Sequence, residues 1–285
     1  MSFTHIGGVI STNVSGISNG LQTVEYMVVA GGGGGGTYTN FNIDGAGGGA
    51  GGFLTAIGYP ITIGSTITIT VGAGGTGANQ ASSSYAGTTG SNSAFGNIVA
   101  LGGGYGSAGN GGAGGSGGGT SRGSSSPGAG TAGQGNSGGT TVEPGYYPGS
   151  GGGGAGSAGI GAPNASYFQC GSGGAGIVST ITGAQQIYAN GGSASGATYF
   201  QTYPGNSSSG NAGTPYQGPA QGPSGNTGSG GNGGQGTGAN GASGIVAIRY
   251  PSFYAPANST TGNPVTYIAG PYRVYVFNAS GTITF

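Results

Sequence analysis

The 285-residue chain carries three basic and three acidic residues, a formal net charge of zero, and 79 of its residues are glycine. A charged fraction of 2% removes the phosphate-neutralising attraction on which nucleic-acid affinity rests and offers no basic face to an anionic bilayer, so neither a nucleic-acid partner nor membrane insertion is expected. One cysteine, Cys170, and one histidine, His5, exclude an internal disulfide and a cysteine-built metal site; no cofactor and no metal are expected.

Glycine with serine and no strict period is ordinarily a disordered composition, and collagen would need glycine at every third place and far more than 13 prolines. Short runs rich in Val, Ile, Thr and Tyr oppose disorder, because they recur between the glycine blocks. Residues 1–23 form a lead-in of Gly, Ser, Thr and Asn without an assignable element, and Met1–Gly8 lacks the basic and apolar regions of a signal peptide, so export by a cleaved signal is not expected. Residues 24–30 are continuously apolar apart from Glu25, the mark of a strand buried on both faces, and stop at the glycines of 31–36. Strands are predicted at 53–57 and 62–71, separated around Gly58-Tyr59-Pro60; Ile67-Thr68-Ile69-Thr70-Val71 alternates with the period of a half-buried strand. Another is predicted at 97–101.

Low-complexity sequence fills 102–166, strand-like pieces return at 176–181 and 187–189, and a second low-complexity stretch spans 190–243. The chain closes with a strand at 244–251 and a predicted hairpin, 272–277 and 282–285, around Asn278-Ala279-Ser280-Gly281. No helical periodicity occurs. The expected fold is all-β: a small β-sheet core with ordered glycine-rich segments in the polyglycine II manner, and no α-helix. In that extended helix of three residues per turn every N–H and C=O points outward, and buried backbone of this kind must be paired nearly completely. Three regions follow: the lead-in, a glycine-rich module over 24–251, and a linker with the hairpin over 252–285.

Residues able to do chemistry are few, and an enzyme is not expected. His5 would have to reach a distant acid to build a triad. Glu25 and Asp44 could in principle pair as glycosidase carboxylates, but Glu25 lies in an apolar strand and an ion pair with Arg249 or Arg273, both in strands, is the simpler expectation. Strings such as G-x-G-x-x-G arise here from composition, and none leads into a helix. Cys170 is expected to be a buried small apolar residue. The aromatic residues of the low-complexity stretches are more informative: Tyr146, Tyr147, Tyr199, Phe200, Tyr203 and Tyr216 lie among Gly, Ser and Asn, the chemistry of adaptable binding loops. Either they contact a receptor, a glycan or a protein surface, or they staple the glycine segments locally.

The strings VEYMVVAGGGGGG at 24–36, TITVGAGG at 68–75 and ASGIVAIRYP at 242–251 resemble, in this order, the glycine-rich module of phage tail-fibre and other virion proteins. The resemblance implies a virion surface protein that recognises a host through distal loops held by glycine-rich helices, with other virion proteins as partners and a homo-oligomer or a fibre as its setting. A purely structural subunit of a fibre, filament or capsid decoration is the alternative. One departure bears on that choice. A phrase similar to residues 276–285 usually precedes the first strand of the module, whereas here it ends the chain, so it either folds back onto its own sheet or completes a neighbour's by strand addition.

Overall fold

A computed structural model describes residues 20–38, 45–79, 85–121, 125–141, 148–161, 170–195, 220 and 222–285. No helix of the α type occurs among them. Their strands are β1 (Thr23–Val29), β2 (Thr37–Tyr38), β3 (Phe53–Pro60), β4 (Thr66–Thr70), β5 (Ser93–Phe95), β6 (Ile98–Ala100), β7 (Ile177–Ser179), β8 (Gln186–Tyr188), β9 (Gly234–Gln235), β10 (Ile245–Pro251), β11 (Ser259–Thr261), β12 (Val265–Ala269), β13 (Tyr272–Phe277) and β14 (Gly281–Thr284).

Two five-stranded antiparallel sheets dominate. The first has the order β12-β13-β10-β1-β3 and the second β11-β14-β4-β5-β6. Alternation along β1 explains how they stack. Val24, Tyr26 and Val28 point into a core shared with Ile69, Phe95, Ala100 and Ile283 of the second sheet. Met27 and Val29 point the other way, into a second core with Ile181 and Tyr188 of the β7–β8 hairpin. A central strand buried on both faces needs this near-continuous apolarity. Rings knit the first core together: Tyr59 and Phe95 stand 4.6 Å apart between centroids, and Tyr250 lies 5.9 Å from Tyr275 in a stacked pair.

Several strands differ from the sequence expectation, among them the short β2, β9 and β11, which were not expected. Strand β3 does not stop at Gly58 but continues to Pro60. It is an edge strand of its sheet, where proline needs no partner on the open side, and Gly58, at φ +81°, falls in the register shift opposite Glu25, as a bulge requires. Strand β5 forms a tight hairpin with β6 through Gly96 at φ +57°. Strand β12 pairs with β13 in a region expected to be linker. The last two strands do not form a hairpin with each other: β13 lies between β12 and β10, and β14 between β11 and β4. Residues 278–280 carry the chain from one sheet to the other, and Phe277 and Ile283 both face the shared core. The closing phrase is thus seated within this chain's own sheets.

The glycine blocks form the second half of the architecture. From residue 31 to 36, successive N–H groups donate in rotation to three neighbours: Gly31 to Ser91 and Gly34 to Thr88; Gly32 to Ala242 and Gly35 to Ala239; Gly33 to Gly49 and Gly36 to Ala46. All three neighbours run antiparallel to it. Its carbonyls accept in the same rotation from Gly103 and Gly106, from Gly75 and Ala78, and from Gly231 and Gly234, three parallel neighbours. A segment that repeats its bonding direction every three residues and bonds only to other segments is a polyglycine II helix, and this one is enclosed by six others. Residues 45–52 are enclosed in the same way, by segments around 30–36, 101–104, 116–119, 150–153, 192–195 and 228–231.

Space, not backbone conformation, makes glycine obligatory here. None of the glycines at 31–36 has a left-handed φ, yet a Cβ at Gly31 would stand 2.0 Å from the Ala73 carbonyl oxygen, at Gly33 2.1 Å from that of Gly104, and at Gly35 1.9 Å from that of Asn232. The Cα–H bonds therefore face carbonyl oxygens, adding weak contacts to the N–H ladder. At the rim, where no further segment approaches, side chains take over the acceptor's place. Asn240 Oδ1 accepts from Gly77, Thr88 Oγ1 from Thr76, Asn92 Oδ1 from Gly102 and Ser157 Oγ from Ala175.

Gly33→Ala is expected to lower stability by about 3 kcal/mol or more, because only main chain could move aside. Gly109→Ala, whose Cβ would meet only Ser107 Oγ at 3.7 Å, is expected to be neutral or to stabilise by about 0.4–1 kcal/mol through the unfolded chain. Thermal denaturation of the two variants checks the contrast, and equal effects would contradict it.

Candidate functional site

Strand direction fixes where the glycine helices lead. Strand β1 runs into 31–36, while β3 and β10, paired antiparallel to β1 through Val29↔Phe53 and Val29↔Ile245, are entered from 45–52 and 237–244. In the second sheet β4 and β6 run into the lattice and β5 is entered from it. The lattice therefore stands on one end of the sandwich, and its segments alternate outward and inward. Thus 116–119 runs outward, antiparallel to 47–50, while 150–153 runs inward, parallel to it. Eight outward runs end at a far face, near residues 38, 79, 107, 121, 141, 161, 195 and 235, and the returns begin there, near 45, 85, 111, 125, 148, 170, 220 and 237.

The described part of that face is neutral and hydroxyl-rich. Thr37 is buried and its Oγ1 donates to the Gly234 carbonyl at 2.9 Å, where β2 and β9 run parallel. Tyr38 and Tyr85 form a ring pair 4.5 Å apart, with Tyr85 at φ +50°. Cys170 is buried, as expected, with its thiol 2.7 Å from the Ser195 carbonyl. The receptor-contact candidates Tyr146, Tyr147, Tyr199, Phe200, Tyr203 and Tyr216 lie outside the described residues, as do His5, Asp44, Arg122 and Glu143. What the structure places is their flanks: the residues on either side of 142–147 and 196–219 are at the far face. The Tyr38–Tyr85 pair carried no sequence signal beyond two tyrosines at the ends of glycine-rich runs.

The charged residues among those described, Glu25, Arg249 and Arg273, all lie in strands of the first sheet. Glu25 and Arg249 face each other across β1 and β10, with Arg249 Nε 2.7 Å from Oε2 and Nη2 3.0 Å from Oε1. The guanidinium also donates to the Thr180 carbonyl at 3.1 Å and lies 4.5 Å over the Tyr272 ring. The side chains are only 17% and 23% exposed, so the pair clamps the β7–β8 hairpin to the first sheet and engages the carboxylate that a glycosidase would need free. Among the described residues no cluster of His, Cys, Asp or Glu could hold a metal, and no helix is long and apolar enough to cross a membrane.

Burial raises the phenol pKa of Tyr250 well above its ordinary value, helped by the hydrogen bond with Tyr275, whose hydroxyl lies 3.2 Å away. Burial also raises Tyr26, with Tyr59 adding to the shift, and raises Tyr188 and Tyr267. A group held protonated by the fold contributes stability below its unfolded pKa, and that contribution is lost as pH rises toward the folded value.

Two outcomes follow from these geometries. Stability is expected to fall as pH rises above about 10, the unfolded tyrosine value, with tyrosinate absorbance from these residues appearing only with unfolding; a stability unchanged through that range would contradict it. Arg249→Ala is expected to cost about 2 kcal/mol, between the values of exposed and buried pairs, and Glu25→Gln less, both read from denaturant midpoints.

The sequence model of a family described as a glycine-rich domain matches residues 9–251, which takes in the lattice and the sandwich as far as β10. The search among curated proteins found no match.

Proposed function

We propose that this chain, which belongs to the glycine-rich domain family, is a surface protein of a phage virion, a tail-fibre or adhesin component that recognises a host surface and carries out no catalysis. The observation that supports this reading is the polarity of the molecule. Outward and inward glycine segments alternate, so eight connections leave from and return to a single face, and the sequences of two of them hold Tyr146, Tyr147, Tyr199, Phe200, Tyr203 and Tyr216. Such connections can vary without touching the scaffold. Rigid aromatic rings among Ser, Gly and Asn suit a glycan or protein surface at low entropic cost. At the other end of the sandwich Phe253 is 80% exposed and Ile63 57%, apolar surface suited to docking on another virion protein.

A second reading, a structural subunit assembled by strand addition, has its own observation. Strand β12 is an edge strand with no charge and no proline, and Val265 and Ile268 on it are half-exposed. Natural proteins usually protect such an edge.

Immunogold labelling of particles is expected to mark fibre tips, whereas labelling along a shaft or shell would favour the second reading. Combined replacement of Tyr199, Phe200, Tyr203 and Tyr216 by serine is expected to lower adsorption to host cells by about tenfold or more, as loss of aromatic anchors does, with an unchanged melting temperature. Undiminished adsorption would contradict the adhesin reading.

A further inference from the structure

A groove of about 380 Å³ lies on the flank of the molecule, where the second face of the first sheet meets the inner end of the lattice. It runs between β12–β13, the β7–β8 hairpin and the turn at Gly225 and Asn226. Its volume falls within the range of small-molecule sites, roughly 300–1,000 Å³. Tyr188, fully buried, and Val276 form part of an apolar floor, and Tyr267 stands 36% exposed on the wall. The Tyr267 hydroxyl donates to the Thr182 carbonyl at 2.8 Å, which fixes the ring between β12 and the hairpin.

Amides from three separate parts of the chain converge on it: Gln186 from β8, Asn226 from the turn and Asn278 from the crossing between sheets. Gln186 and Asn278 are exposed, and no hydrogen bond within the described residues engages their side chains. Asn226 sits at φ +57°, held by Ser243, whose Oγ donates to Asn226 Oδ1 at 2.8 Å. None of the lining residues is Asp, Glu, Lys or Arg.

These features select a ligand chemistry. A charged ligand would lose hydration without meeting a counter-charge. A wholly apolar one would cover amides without bonding them. A sugar ring meets both demands, with an apolar C–H face for tyrosine and hydroxyls for amide donors and acceptors. We propose that this groove binds a neutral saccharide, with Tyr267 as the ring platform and Gln186, Asn226 and Asn278 as the groups that read its hydroxyls. The site stands on the scaffold and is separate from the far face, so it does not depend on the aromatic connections proposed to contact a receptor.

The test is amide-shift mapping of the full chain with maltotriose, cellotriose and chitotriose at up to about 10 mM, enough to saturate a site with Kd near 1 mM. At least one is expected to shift Gln186, Tyr267 and Asn278. The double variant Gln186→Ala/Asn278→Ala is expected to weaken binding about tenfold with an unchanged melting temperature, because both side chains are exposed and make no bond. Tyr267→Phe is expected to bind, and Tyr267→Ala to bind poorly; should the latter fail to fold, the double variant still decides. The variant with serine at Tyr199, Phe200, Tyr203 and Tyr216 is expected to bind as the parent does. No response to any of the three trisaccharides, shifts that map elsewhere, or undiminished binding by the double variant would overturn the assignment.

Discussion

The structure depends on main chain approaching main chain more closely than any side chain permits. Where a Cβ would stand on Gly32 there is the carbonyl oxygen of Ser229, and at Gly34 that of Thr76. Close packing is reached here without side-chain interdigitation, and directional bonds replace apolar burial as the organising force. Such an interior is cooperative by necessity. An N–H or C=O left unpaired inside it costs about 1–3 kcal/mol, so one segment cannot be withdrawn without stranding groups on all of its neighbours. It also explains the near-absence of charge, since a lattice built from side-chain-free segments has no place to put an ion.

Glycine segments alone would be poor at finding this arrangement, because each glycine loses more conformational freedom on ordering than any other residue. The sandwich supplies what they lack. Strands of one sheet lie about 4.8 Å apart, the reach of one N–H···O bond, and neighbouring strands hand their chains to glycine segments already at bonding distance. Strand β1 shows the coupling best: its two faces seed both apolar cores, and the residues that follow it become a helix enclosed by six others. The ion pair of Glu25 and Arg249, with Tyr272 and Thr180 around it, tightens the far flank of this same sheet.

Much of this was legible in the residues. Unbroken apolarity over 24–30 announced a doubly buried strand, and glycine blocks bounded by β-branched runs announced paired polyglycine segments. A lone Glu25 in an apolar strand announced an arginine partner, Arg249 or Arg273, and the pair formed is with Arg249. What escaped is of a different kind. Gly58 and Pro60 act as punctuation in most contexts, and only an edge position makes them compatible with a continuing strand. Ser93-Ala94-Phe95 is too short to show a period. The turn formers at 278–281 are real, but local sequence does not say whether a turn returns the chain to its neighbour or passes it to another sheet. The groove was beyond reach for the same reason: Gln186, Asn226, Tyr267 and Asn278 are brought together only by long-range pairing. The aromatic candidates at 146–147 and 199–216 lie outside the described residues.

The rotation of bonding direction every three residues carries an evolutionary consequence. Losing one codon inside a glycine helix would turn every later N–H by a third of a revolution and misdirect it, whereas losing three would shorten the helix by one rung and leave its partners aligned. Insertions and deletions within the helices are therefore confined to multiples of three residues. The connections at the far face obey no such arithmetic, and gene lineages can lengthen, trim or exchange them one codon at a time while the scaffold beneath stays in phase.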